Sequence, residues 1–156
     1  MEKKENQIEK LWSTIKDEVA ISIKTNERSA KFLEKSIIKF NSFSEALAAR
    51  IATKVSNSEV TKGEIEEISK RQFSEFPEIS ESASKDLLAF YERDPACNFF
   101  YQPFLYYKGF IALQIYRIGR SLYHSKQIDI HIQKYMKVIT SFSIHSFSVL
   151  MLAQDW

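Results

Sequence analysis

A chain of 156 residues is close to the size of a single domain. Its composition, 44% hydrophobic and 27% charged, is that of a globular protein and excludes the disordered and fibrous classes. Three Gly and three Pro are too few for a turn-dense all-β fold, and a net charge of +2 is too mild for a nucleic-acid binder.

The elements read in chain order are helical. Ile8, Leu11, Trp12, Ile15 and Val19 recur at three- and four-residue spacing, which predicts an amphipathic first helix. A second helix, about residues 27–40, places Phe32, Leu33 and Ile37 on one side. Ser42-Phe43-Ser44-Glu45 fits a capping box, in which the Ser hydroxyl accepts from the N3 amide and the Glu reaches back. Phe43, Leu47, Ala48, Ile51, Ala52 and Val55 form the apolar face of the helix it starts. Thr61-Lys62-Gly63-Glu64 offers a second box ahead of Ile65, Ile68 and Phe73. Pro77 suits the first turn of the next helix, where its missing N–H costs nothing, and that helix buries Ile79, Ala83, Leu87 and Phe90.

Arg93-Asp94-Pro95-Ala96 ends this run, because the residue before a proline is driven out of the α region. After a loop of about nine residues, Pro103 is expected to open the longest apolar helix, reaching about Tyr123. Gly109 and Gly119 fall inside it, and an interior Gly costs roughly 1 kcal/mol against Ala, so close packing of a neighbour is expected there. A last segment puts Ile128, Ile132, Tyr135, Met136 and Ile139 on one helical face. The alternation Gln127-Ile128-Asp129-Ile130-His131-Ile132 equally fits the start of a strand. The sum is an all-α protein of about six to eight helices.

Chemistry-bearing signatures are sparse. Residues 95–156 carry six Lys and Arg against two Asp and Glu, while residues 1–94 carry 16 against 18. Arg117, Arg120, Lys126, Lys134 and Lys137 read as a solvated face rather than an RNA surface. The single cysteine, Cys97, excludes an internal disulfide, fits a reducing compartment and reads as a free thiol. His124 and His131 lie seven apart without a carboxylate at ligand spacing, so no metal site is expected. The N-terminal residues lack the apolar core of a signal peptide, and residues 138–153 fall short of the ~20 apolar residues of a membrane span. A soluble, cytoplasmic protein is expected, with neither a membrane nor nucleic acid as partner.

Residues 93–119 resemble a known family. Arg93-Asp94-Pro95-Ala96, Pro103, Leu105-Tyr106-Tyr107-Lys108-Gly109-Phe110-Ile111-Ala112-Leu113-Gln114 and Arg117-Ile118 resemble, at matching spacing, the N-terminal helical domain of bacterial and plant serine acetyltransferases. Leu11-Trp12, Ile15-Lys16 and Glu18 are similar to the family's opening helix, and Ser42 to Ala48 to its third. The resemblance covers about residues 8–137. It implies a helical domain that precedes a left-handed β-helix of hexapeptide repeats and packs trimers into a hexamer. The family transfers an acetyl group from acetyl-CoA, its co-substrate, to the hydroxyl of L-serine in cysteine synthesis. It also implies that Asp94 contributes to the serine pocket, where a carboxylate pairs with the substrate's amino group.

Where the family continues with Asp-Ile-His-Pro and glycine-bearing coils, this chain reads Ser143-Ile144-His145-Ser146 and has no glycine after Gly119. The family's catalytic His-Asp pair, its acetyl-CoA groove and its tail for cysteine synthase have no match. His145, with no acidic neighbour nearer than Asp129 or Asp155, is not expected to replace the base. The expectation is therefore a helical domain at 1–137 and a divergent apolar tail at 138–156 in place of the β-helix. Asp94 is the one expected site residue, with no catalytic residue and no bound cofactor. Such a chain is expected to be inactive alone. It would form a homo-oligomer, or a hetero-oligomer with full-length serine acetyltransferase, through the apolar stripes of its early helices. The alternative is a stand-alone oligomerisation or regulatory module acting on the full-length enzyme.

Overall fold

The computed structural model describes residues 2–125, 130 and 132–136. Residues 2–125 form seven α-helices and one π-helical turn, and no strand occurs among the described residues, as the scarcity of Gly and Pro predicts. The long first helix α1 (Glu2–Thr25) spans about 36 Å at 1.5 Å per residue. Its stripe of Leu11, Trp12, Ile15 and Val19 is buried, the last two completely. Helix α2 (Glu27–Leu33) runs directly into the π turn Glu34–Ile38. Leu33 and Ile37, four residues apart, share the buried face, whereas Phe32 lies about 100° further round and is 42% exposed. The expectation that all three share a side is corrected accordingly.

Helix α3 (Phe43–Val55) starts where the capping signal lies. The Ser42 hydroxyl accepts from the Glu45 N–H at 3.3 Å, while the Glu45 carboxylate reaches Asn41 N rather than the cap residue itself. The second box closes fully ahead of α4 (Lys62–Glu75). Thr61 Oγ1 accepts from Glu64 N, and Glu64 Oε2 accepts from Thr61 N at 2.7 Å. Helices α3 and α4 pack along each other as a helical hairpin. Pro77 opens α5 (Pro77–Arg93), whose Ile79, Ala83 and Leu87 are buried as expected.

The expected helix from Pro103 to about Tyr123 is two helices. Helix α6 (Tyr101–Tyr106) carries Pro103 in its first turn, and α7 (Lys108–Ser125) follows after an elbow at Tyr107, whose backbone is extended at φ −82° and ψ 110°. Gly109 consequently lies in the first turn of α7 and only Gly119 is interior. A Cβ at Gly119 would stand 3.6 Å from the Cβ of Met136, so a neighbouring segment does pack there, but at ordinary contact distance.

Residues 132–136 are helical, with Met136 buried and Ile132 and Tyr135 packed against the core. Residue 130 is helical as well, so the strand reading fails at Ile130 and Ile132. Ile128 and Ile139 lie outside the described residues, as do His131, Lys126, Lys137, His145, the boundary at 137/138 and the tail 138–156.

One aromatic cluster joins the helices. Trp12 of α1, Phe43 of α3 and Phe104 of α6 have ring centroids 5.9–6.1 Å apart, and Phe110 of α7 lies 6.2 Å from Phe104. Such tilted and edge-on pairs add about 1 kcal/mol each beyond their buried area. The apolar stripes of α1 and α3 are thus spent inside this chain's own core. They are not free to meet a partner, contrary to the expectation for the early helices.

Candidate functional site

The site is a loop and an elbow held against each other. Pro95 forces Asp94 into an extended conformation, φ −98° and ψ 107°, and α5 stops there. The chain then turns tightly, with Asp94 Oδ1 accepting from Ala96 N and the Asp94 carbonyl from Cys97 N, both at 2.9 Å. This is an Asx turn, the ordinary behaviour of Asp before a turn. The second carboxylate oxygen is not left to solvent. Tyr107, at the elbow between α6 and α7, donates its hydroxyl to Asp94 Oδ2 at 2.9 Å. Phe90 packs edge-on against the Tyr107 ring at 5.3 Å and holds it in place.

The loop is tied down from the other side. Gln102 Oε1 accepts from Asn98 N and Phe99 N, and Glu18 of α1 accepts from Tyr101 N at 3.3 Å. Ser22 of α1 donates to the Tyr101 hydroxyl at 3.1 Å. Burial raises the Glu18 carboxyl above its ordinary range, against the lowering effect of the backbone donors it accepts from.

The titration states define what this arrangement can do. Burial, then the hydrogen bond to Asp94, pushes the Tyr107 phenol up to about 12. Burial likewise pushes the Cys97 thiol up, and its Sγ–H points to the Phe99 carbonyl at 3.5 Å. At neutral pH, Tyr107 is therefore a donor and Cys97 an inert thiol rather than a nucleophile. The Asp94 carboxylate is half-buried and has about four lone-pair positions, of which two are used. The remaining positions can accept from an ammonium group. No described His approaches it: His124 is exposed, 17 residues along α7 from Tyr107, about 25 Å by helical rise.

The rest of the motif string serves another purpose. Gln114 is fully buried and donates from Nε2 to Asp86 Oδ2 of α5 at 2.9 Å and to the Phe110 carbonyl at 3.1 Å. Arg117 pairs with both Asp86 oxygens and donates to Gln114 Oε1 at 2.8 Å. Arg117 is thus part of a clamp between α5 and α7, not of a solvated basic face; Arg120 and Lys134 are exposed as expected. Asp86 and Tyr107 are the partners that sequence reading missed. Nothing in the spacing distinguishes Asp86 from the other acids of α5, and Tyr107 was legible only as an unremarked position in the motif. No helix among the described residues is long and apolar enough to cross a membrane.

Comparisons with known proteins place this geometry in a family. Residues 11–115 match the family model described as serine acetyltransferase, N-terminal. The serine acetyltransferase of Escherichia coli K12 is 31% identical over 141 residues, covering 89% of this chain and 52% of that protein. Among solved structures, Neisseria gonorrhoeae serine acetyltransferase in complex with serine aligns with a TM-score of 0.78 at 30% identity, covering 84% of this chain and 54% of that one. Soybean serine acetyltransferase complexed with serine aligns with the same TM-score at 25% identity, covering 86% and 54%. The chain spans about half the length of the curated relatives it matches. With the family model matched over residues 11–115 and solved serine acetyltransferases aligned over most of its length, the chain belongs to the serine acetyltransferase family and carries its N-terminal helical domain.

Proposed function

We propose that this chain works in serine O-acetylation in the cytoplasm, on the route to cysteine, as the domain that presents Asp94 to the substrate. The carrying observation is the Asp94 carboxylate itself. It is fixed by Ala96 N and the Tyr107 hydroxyl, with lone pairs left for a third partner. Two similar structures are described as complexes with serine, which favours a serine pocket at the matching position. In this reading the Asp94 carboxylate accepts from the α-ammonium of L-serine, and the bidentate hold on its oxygens keeps it aimed.

Acetyl transfer to a serine hydroxyl needs a positioned base, because the protonated hydroxyl is a poor nucleophile. Near Asp94 the described residues offer Tyr107 and Cys97, both protonated at neutral pH, and the Glu18 carboxylate, which is engaged with the Tyr101 N–H. The base and the acetyl-CoA groove would have to come from residues with no match in these 156. This polypeptide tested by itself should therefore bind serine weakly and leave acetyl-CoA intact.

A second reading, a module that joins a full-length serine acetyltransferase, is favoured by the exposed apolar side chains. Ile21 is 64% exposed, and Leu88 and Tyr91 about two-fifths, so a surface distinct from the buried stripes is available for assembly. Titration of L-serine against the labelled protein tests the first reading. The amide signals of Ala96 and Tyr107 should shift with L-serine and stay still with 3-hydroxypropionate, which lacks the ammonium. Equal responses to the two, or the same response in Asp94→Asn, would overturn it.

A further inference from the structure

A second charged site lies on the other flank of the elbow. Arg50 and Lys54 are four residues apart on α3 and so share a face. Arg50 is half-buried and donates from Nη2 to the carbonyl of Leu105, in the last turn of α6. Its Nε is buried and has no acceptor. Lys108 begins α7 directly after the elbow at Tyr107, and the first turn of α7 carries no acidic side chain. Among the described residues no carboxylate pairs with Arg50, Lys54 or Lys108.

That arrangement is costly as it stands. A guanidinium partly withdrawn from water is normally matched by a carboxylate, because a charge held out of water without a counter-ion is unfavourable. Here the nearest charges are of the same sign. The Lys54 ammonium lies below its ordinary range, chiefly through the charge of Arg50, then burial, then the charge of Lys108. Burial also lowers Arg50. The N–H groups of Lys108, Gly109 and Phe110 add to the positive field, since the first amides of a helix have no partner within it.

We propose that the cluster of Arg50, Lys54 and Lys108, at the junction of α3 with the α6–α7 elbow, binds a small oxyanion of the phosphate type. The ion is either free phosphate or the terminal group of a phosphorylated metabolite. Beyond the bond to Leu105, Arg50 keeps Nη1 and the second N–H of Nη2 as donors for an oxyanion, and the two ammonium groups supply mobile point charges around it. The site is independent of the serine pocket: its residues neither touch Asp94 nor depend on an acetyl donor.

The test is a titration of the intact chain with inorganic phosphate, against chloride at equal ionic strength, followed by thermal unfolding and by the amide signals of Lys108 and Gly109. Phosphate should raise the midpoint and shift those amides, with a dissociation constant on the order of millimolar. Arg50→Gln should weaken binding at least tenfold and Lys54→Gln several-fold, while Lys31→Gln, the same charge change at an exposed position of α2, should leave it unaltered. If Arg50→Gln does not fold, Lys54→Gln and Lys108→Gln, both at exposed positions, carry the same comparison. A phosphate monoester titrated in parallel separates the two sources, the tighter binder being the ligand class. Equal action of phosphate and chloride, or equal loss in Lys31→Gln and Lys54→Gln, would overturn the proposal.

Discussion

The two halves of the motif string behave differently. At Asp94 and Tyr107, its polar groups lie on a loop and an elbow, half-buried and bonded to each other, with lone pairs left on the carboxylate. From Gln114 to Arg117, they are turned inward and saturated, closing on Asp86 of α5. One run of sequence, matched as a unit, therefore carries both a loop carboxylate, the proposed binding group, and a structural clamp. Matching spacing identifies the run, but only burial and hydrogen-bond partners sort its residues into those that hold the fold and those that face a ligand.

The sharpest break of this comparison is Asp86→Ala. It strands Arg117, whose side chain is only 20% exposed, together with the Gln114 amide. Removing one partner of a buried pair costs about 3 kcal/mol, so thermal unfolding should fall by about 10 °C. Asp94→Ala, on the loop, loses two part-exposed hydrogen bonds, should cost about 1–2 kcal/mol and should leave the circular dichroism spectrum unchanged. Similar losses for the two variants would erase the distinction.

Tyr107→Phe gives a smaller effect with a pH signature. Loss of the hydrogen bond to Asp94 should cost about 1 kcal/mol near neutral pH. The folded phenol titrates at about 12 against an ordinary value of 10.0, so the folded state holds this proton more tightly than the unfolded state. Its stabilisation is complete below pH 10 and disappears as pH rises from 10 to about 12. The stability gap between wild type and Tyr107→Phe, measured by denaturant unfolding, should close over that window. A gap that persisted above it would show that the hydroxyl is not the cause.

Smallest is Gly119→Ala. With a Cβ meeting Met136 at ordinary contact distance, the methyl group fits, and the helix interior gains by losing a glycine. Stabilisation of about 0.5–1 kcal/mol is expected in the same unfolding assay. Destabilisation would mean that the segment at 132–136 sits closer to α7 than described.

Much of the fold was legible in the residues. The stripe from Leu11 to Val19, the caps at Ser42 and Thr61, and the helix stop at Asp94-Pro95 are local signals, each with its cause within four residues of its effect. The break at Tyr107 was not legible, because Leu105-Tyr106-Tyr107-Lys108 continues a helical apolar pattern and contains no Pro or Gly. The elbow is a tertiary product: Tyr107 turns out to reach Asp94 and Phe90, 13 and 17 residues away in sequence. The clamp was hidden for the same reason, its Asp86 and Arg117 lying 31 residues apart. Asp94 was found through resemblance alone. Its Asx turn is what any Asp-Pro sequence tends to build, and only the lone pairs left over set it apart for the proposed role.

In the proposed role, Asp94 receives the α-ammonium of serine and the base comes from outside this helical domain. A thiol-release assay with acetyl-CoA and L-serine, run on the purified 156-residue chain and on Asp94→Ala, tests it most directly. General-base assistance alone is typically worth 10²–10⁴-fold, and holding two substrates in reacting geometry adds more, so serine-dependent release should stay at background in both proteins. Serine-dependent turnover that vanishes in Asp94→Ala would show that the helical domain carries a complete site of its own, and would contradict the account.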